Sequence, residues 1–299
     1  MYHTRKDHVI AFLIVLPSVI AVGIFVYGFI GWSIRSSLSA WDGIVPDFRF
    51  VGLAHYADIF TSQRFQTDLW NTLFFTLFFL AISILFGLLL ATMLDRKVKG
   101  EGLFRNIYLF PMAISFVVTG VVWRWIFSPT MGINALLKAV GLGSLTWGWF
   151  TDPAKFLNFH VALIPLIIAA SWQLSGYTMA MYLAALRGIP AEVREAARLD
   201  GASELRTYVS VILPMLQPIT LSALIVLAHI SLKIFDLVYT MTGTGPAFAT
   251  DMPGIFMFET TFRGNHYAEG AAISIVMLLM IAVIIIPYLY NSLRREERT

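Results

Sequence analysis

The amino-acid sequence predicts an all-α, polytopic membrane bundle of six transmembrane helices with both termini cytoplasmic. Hydrophobic residues fill 58% of its 299 positions and charged residues only 13%, with a mean hydropathy of +0.75, so a polar skin over a water-soluble core of this size cannot be assembled. The apolar residues lie in continuous stretches near 9–34, 69–94, 106–127, 159–186, 208–231 and 270–290, each close to the roughly 20 residues a helix needs to cross a hydrocarbon core. They do not alternate with polar residues. Backbone groups in lipid must be satisfied within a helix or a closed barrel, and a barrel strand would alternate, so helices are expected.

The first stretch follows Arg5-Lys6-Asp7-His8 and exceeds the apolar core of a secretory signal. It also lacks a clear small-residue cleavage site, so it is expected to remain as an anchor. Ser83, Gly87 and Ala91 in the second stretch, and Gly270 and Ser274 in the sixth, recur four residues apart, a spacing that lets helices approach closely in lipid. Pro17, Pro111, Pro165, Pro214 and Pro287 fall in or at the edges of spans, where kinks are tolerated if neighbours re-satisfy the backbone. Three intervening segments of around thirty residues are rich in aromatics, as in LTWGWFTDPAKF from Leu145 to Phe156, which suits a membrane interface and also the docking of an external protein. The chain shows no internal repeat and reads as one domain over 1–299.

Lys and Arg set the orientation. The short segments 1–8, 95–105, 187–207 and 291–299 carry 13 basic residues, and the longer segments 35–68, 124–158 and 233–267 carry 8, which assigns the first set to the cytoplasm. The isoelectric point near 9.1 follows from that asymmetry and needs no nucleic-acid partner. With no cysteine, disulfides, thiol catalysis and Cys-based metal sites are excluded. Neither G-x-x-x-x-G-K-[ST] nor H-E-x-x-H occurs, and Thr242–Pro246, TGTGP, reads as a turn because it lacks the Lys and helix of a phosphate cradle. No catalytic residue and no metal ligand set are assigned.

One interruption of the apolar pattern stands out, at about 187–207. From Glu192 to Arg206 the chain reads EVREAARLDGASELR, seven charges in fifteen residues. Pro190 suits a first helical turn, Ala191 to Asp200 favour helix, and Gly201 is the residue best able to form a left-handed cap. The spacing therefore predicts a short helix, a turn, and a second helix rigidly continuous with the fifth span. At 100° per residue Glu192, Glu195, Ala196 and Leu199 share one side, Val193, Ala197 and Asp200 adjoin them, and Arg194 and Arg198 lie opposite. That pattern predicts a basic face turned to headgroups or water and small alanines where another body approaches. Composition alone favours a solvated amphipathic helix on the membrane surface.

The spacing changes the balance. Glu195-Ala196-Ala197, three residues, Gly201, nine residues, then Val211-x-Leu213-Pro214 resembles the EAA signature of permease subunits in binding-protein-dependent ABC importers, with Val211 where the family usually has Ile. RNIYLFPMAIS, YLAALRGIPAEVREAARLDGAS and KIFDLVYTMTGTGP resemble its carbohydrate-uptake branch, the maltose, trehalose and glucose type, and the likeness runs from the second span onward. The resemblance implies a type I ABC importer permease fold and an ATPase-coupling site at Glu195, Ala196, Ala197, Asp200, Gly201 and Ala202. It implies as partners a second related permease, two copies of an ATPase subunit, an extracytoplasmic sugar-binding protein and the lipid bilayer of a prokaryotic inner membrane. ATP and Mg would be bound by the ATPase subunits and no cofactor by this chain, which is itself non-catalytic. ATP-driven closure of those subunits would switch the pathway from inward to outward facing.

Polar residues within spans are costly unless they face a cavity or a partner. In the fourth span Gln173, Gly176, Tyr177, Ala180 and Ala184 make one small and polar face at helical spacing, with Trp172 and Ser175 beside it. Such a face suits a sugar, which offers hydroxyls to polar groups and an apolar face to a ring; packing between helices accounts for Trp172 and Tyr177 equally well. His229, Lys233 and Asp236 share a second face at the outer end of the fifth span, where Lys233 and Asp236 are expected to neutralise one another. Asn71 and Arg124 read as a helix cap and a snorkelling cation. The leading reading is a sugar importer permease, leaning by resemblance toward the glucose or α-glucoside kind through FATDMPGIFMFETTFRGNHYAEGAA. The alternatives are the same architecture for a polyamine, amino acid or phosphate, or a stand-alone secondary carrier or intramembrane enzyme.

Overall fold

An apolar chain without water to solvate its backbone closes its hydrogen bonds within helices. A computed structural model describes residues 5–96, 99–156 and 159–296. The terminal residues and Lys97 that enter the orientation count lie in part outside them. The first helix comprises α1 (Arg5–Val22) and α2 (Phe29–Ser37), joined by a π-helical turn at Gly23–Gly28. After α3 (Ala54–Thr61) comes α4 (Gln63–Asp95), 33 residues and about 50 Å at 1.5 Å per residue. Then follow α5 (Glu101–Leu109), α6 (Phe116–Ile126), α7 (Gly132–Ala139) and an antiparallel hairpin, β1 (Lys155–Phe156) with β2 (Phe159–His160). The remainder is α8 (Ile164–Gly188), α9 (Ala191–Leu199), α10 (Glu204–Thr207), α11 (Leu213–Met215), α12 (Gln217–Leu232), α13 (Asp236–Met241), α14 (Pro253–Phe258) and α15 (Tyr267–Glu296).

Among the described residues, four helices are long and apolar enough to cross a membrane: Phe12–Ser37, Gln63–Asp95, Val161–Gly188 and Tyr267–Tyr288. The predicted third and fifth spans are each broken. The helical run Glu101–Ala113 turns by 100° into α6, and Glu204–Met215 turns by 62° into α12; counting each pair as one span gives six. At the first break the chain passes through a 3-10 turn containing Pro111, extends at Ile114, and restarts where the Ser115 hydroxyl accepts from the Val118 N–H at 3.3 Å. At the second, Pro214 and Pro218 flank Leu216 and remove two ladder donors within five residues. The expected rigid continuity from the charged loop into the fifth span is therefore corrected: a bend intervenes.

The described residues form two compact units, 5–62 with 256–279, and 63–255 with 280–296. In the first, the backbone of the loop after α2 is tied to the start of α15: Gly43 N–H donates to the Asn265 carbonyl at 2.9 Å and Ala268 N–H to the Trp41 carbonyl at 3.0 Å. Trp41 stacks on Tyr267 with centroids 5.0 Å apart. Between Phe12 and Arg35 no side chain is buried, so the first helix presents apolar residues all round.

The second unit is built on α4 against α8. Ser83, Gly87 and Ala91 all face this contact, as their spacing predicts. A Cβ on Gly87 would overlap the Thr178 hydroxyl, which instead donates to the Ser83 carbonyl at 2.7 Å. One apolar cluster gathers Phe75, Phe79, Leu166, Ala170, Leu227 and Leu237. A second gathers Leu90, Leu94, Tyr182, Leu186 and Ile212 around the other end of α4.

Candidate functional site

The charged loop forms the helix, turn and helix that its spacing predicts. α9 ends in paired backbone bonds, Gly201 N–H to the Arg198 carbonyl and Ala202 N–H to the Ala197 carbonyl, each 3.0 Å. This pairing is a Schellman cap and requires a left-handed residue, which Gly201 supplies at φ +78°. Ser203 then caps α10, its hydroxyl accepting from the Arg206 N–H at 3.3 Å. Glu195, Ala196, Asp200 and Gly201 are exposed, Ala202 is half-buried and Ala197 is buried. Leu199 and Leu205 are 89% and 76% exposed, two large apolar side chains at the tip of a polar loop.

Of the side of α9 expected to face headgroups or water, Arg198 is exposed and only Arg194 turns to its own chain. Arg194 donates to Asp95 at the end of α4 at 2.7 Å, with its partner only 11% exposed, and Arg198 pairs with Glu204 at 2.6 Å across the glycine turn. The two arginines have acid partners within reach, and Ala197 turns inward because the helix lies against its own chain. Ala196 and Leu199 are left exposed on the outer side. The Tyr208 hydroxyl hydrogen-bonds Thr92 of α4 at 2.7 Å, and Arg187 at the end of α8 pairs with Glu101 at 2.6 Å.

On α8, Gln173 is buried, and its Nε2 donates to the Ile114 carbonyl at 2.6 Å, the acceptor freed by the break between α5 and α6. Gly176 lies against the Tyr108 carbonyl, where a Cβ would overlap it. These two members of the polar face thus seat the bent pair on α8. Ser175 is buried and its hydroxyl donates to the Trp172 carbonyl at 3.3 Å. Tyr177 is half-buried against the first apolar cluster, and Trp172 meets Trp123 edge-on at 5.6 Å while remaining 39% exposed.

His229, Lys233 and Asp236 do not share one helix. α12 ends at Leu232, and Asp236 begins α13 after a non-helical Lys233–Phe235 link. Among the described residues no ion pair joins Lys233 to Asp236, contrary to the expected neutralisation, because the link rotates them out of helical register. Both line a cavity of about 310 Å³ with Phe116, Ile230, Ile234 and Phe235. His229 is half-buried.

Asn71 is not a cap. α4 begins at Gln63, so Asn71 lies two turns inside, where its Nδ2 donates to the carbonyls of Phe248 and Asp251, both at 3.0 Å. Its Oδ1 must then accept, so the His160 Nδ1 that meets it at 2.8 Å carries the proton. Arg64 donates to the fully buried Asp251 at 2.6 Å, with its guanidinium 4.7 Å from the Phe248 ring centre. Sequence reasoning missed Arg64, His160 and Asp251 as a group. Each alone resembles an interfacial residue, and up to 187 positions separate them. Arg124 donates to the Thr240 carbonyl at 3.5 Å.

Residues 83–298 match the family described as binding-protein-dependent transport system inner membrane component. A probable ABC transporter permease protein of Pyrococcus horikoshii is 44% identical over 97% of each chain. The xylose/arabinose import permease protein of Haloferax volcanii is 36% identical over 92% of this chain and 86% of its own, and the trehalose/maltose transport system permease protein of Thermococcus litoralis is 28% identical over 95% and 94%. A chain of a bacterial ABC transporter involved in the import of the acidic polysaccharide alginate, 22% identical, shares the fold at a TM-score of 0.80 over 97% of this chain and 96% of that one. The EAA spacing read from Glu195 to Pro214 thus sits inside a match that spans most of the sequence, and the chain belongs to the inner membrane components of binding-protein-dependent transport systems.

Proposed function

We propose that this chain is the transmembrane subunit of an ATP-driven sugar importer of a prokaryotic inner membrane. It forms the translocation path with a second, related permease and is driven by two ATPase subunits that bind ATP and Mg. The observation that carries the reading is the tip of the charged loop. A large apolar side chain 89% exposed at the end of a charged helix, Leu199, is poorly placed in water and well placed in a cleft on a partner. Glu195 and Ala196 flank it, and the Gly201 cap fixes the angle at which the helix is offered. Lys and Arg asymmetry supports a cytoplasmic position for this loop and both termini, with each bent pair counted as one of six spans.

Sugar as the substrate is supported by the named substrates of the Haloferax and Thermococcus relatives. An extracytoplasmic binding protein as donor is supported by the alginate transporter, whose structure was solved in complex with an alginate pentasaccharide-bound periplasmic protein. On this chain the path runs by Trp172 and Tyr177 on α8 and by the cavity holding Lys233 and Asp236. There a ring face and charged donors and acceptors meet hydroxyls. His229, Gln173, Ser175 and Gly176 support the walls of that path.

The test is uptake of labelled sugars by the chain reconstituted with its second permease, ATPase and binding protein. ATP-dependent accumulation of a mono- or oligosaccharide is expected, and accumulation without the ATPase would favour a stand-alone carrier. The Lys233 ammonium beside the cavity favours a second reading, a solute bearing a carboxylate or phosphate. Competition by an acidic sugar but not by its neutral counterpart would select it.

A further inference from the structure

Movement of α9 has to reach the far side of the membrane through some element rigid enough to carry it. The covalent connections of α9 are poor carriers. It joins α8 through Ile189 and Pro190, both extended, and joins α12 through the Gly201 turn and the 62° bend at Leu216. Its side-chain connection is direct: Arg194 holds Asp95 at 2.7 Å, and one turn before Asp95 the Thr92 hydroxyl meets Tyr208, on the far side of the loop, at 2.7 Å. Both attachments are to α4, which is one unbroken, proline-free helix over 33 residues. The opposite end of α4 holds a loop. Asn71 donates to the backbone carbonyls of Phe248 and Asp251, and Arg64 pairs with the buried Asp251 carboxylate. The loop is closed on itself, Thr250 N–H donating to the Thr244 carbonyl at 3.1 Å and the Thr250 hydroxyl to the Gly243 carbonyl at 3.2 Å, so it moves as a piece. Between Asn71 and Asp95 the helix rises about 36 Å, enough to cross the ~30 Å hydrocarbon core of a bilayer.

We propose that α4 is the rod that carries displacement of α9 across the membrane to the loop 242–252, with the Arg194–Asp95 ion pair as its cytoplasmic attachment and Asn71 and Arg64 as its external one. Arg194 and Asp95 are then positioning residues for transport: they touch neither sugar nor nucleotide and act through α4. The inference rests on the reading that α9 docks on the ATPase.

The chain has no cysteine, so Ala247→Cys, at an exposed position of the loop, gives a single thiol whose maleimide labelling on this chain reports the state of the loop. The measurement uses the complete complex with and without ATP. The labelling rate of the Ala247→Cys chain should change with ATP. Adding Arg194→Gln or Asp95→Asn should shrink that change several-fold and lower sugar transported per ATP, with the ATPase still co-purifying. The exchanged pair, Arg194→Asp with Asp95→Arg, should restore both. Single variants that keep the full ATP response overturn the rod while leaving α9 docking intact. Single variants that no longer co-purify the ATPase make the pair an assembly element and also overturn it. If the chain with Ala247→Cys alone shows no ATP response and no bound ATPase, the docking of α9 fails, and the rod with it.

Discussion

Gly201 is the residue whose chemistry is most exposed to test. Beyond its own chain neighbours, no described residue comes within 4 Å of where its Cβ would sit, so a substitution there chiefly probes the backbone. With φ at +78°, a β-branched residue should cost about 1–2 kcal/mol in the cap, whereas Asn tolerates the left-handed region. Gly201→Val is therefore expected to lower sugar-stimulated ATPase activity of the complex and Gly201→Asn to retain most of it. Glu195→Lys, at an exposed position, should weaken co-purification of the ATPase without altering thermal unfolding of the isolated chain. At the other end of α4, Arg64→Ala would leave the Asp251 carboxylate buried without its guanidinium. Breaking a buried pair from one side costs about 3–5 kcal/mol, so a marked fall in Tm in detergent is expected.

At the scale of elements, the broken third span and α8 depend on one another. The extended Ile114 exposes a carbonyl in an apolar setting, and Gln173 donates to it. Gln173→Leu removes that donor and leaves an unsatisfied acceptor, a cost of about 1–3 kcal/mol that should appear as lower thermal stability along with reduced uptake. Tyr177→Phe separates the two effects. It removes one hydroxyl from a half-buried ring, so it should leave Tm unchanged while raising the sugar concentration needed for half-maximal uptake. Equal uptake kinetics in Tyr177→Phe and the parent would remove Tyr177 from the path. The bends themselves follow from position: proline within a helix removes a donor, and two prolines around Leu216 leave the ladder open there.

At the scale of the whole molecule, exposed apolar surface calls for lipid or a partner to cover it. The first helix has no buried side chain between Phe12 and Arg35. Lipid solvates such a helix, and a second permease can replace that lipid by packing. The sequence carries the EAA spacing but no G-x-x-x-x-G-K-[ST], and under the proposed function hydrolysis belongs to the ATPase subunit, so the purified subunit should hydrolyse no ATP and hydrolysis should appear only when the ATPase subunit is added. A phosphate-release assay on the isolated chain checks this, and robust turnover by the chain alone would contradict the proposed division of labour.

What could be read from the sequence was whatever depends on neighbours along the chain. Apolar runs marked the helices, because lipid demands internal hydrogen bonding of any continuous stretch. Four-residue spacing marked Ser83, Gly87 and Ala91 as a contact face, and the run from Glu195 to Gly201 marked the helix and its cap, since propensity and a positive φ are local properties. Tertiary structure alone decided what each polar side chain is for. Helical spacing turns Arg194 to headgroups or water, and folding sets Asp95 2.7 Å from it; Asn71 reads as a cap, and two loop carbonyls and His160 take its amide; Lys233 reads as the partner of Asp236, and a non-helical link parts them. A buried hydrogen bond joins groups that folding brings together from distant parts of the chain. Helical periodicity says which face a residue occupies and is silent about what that face will meet.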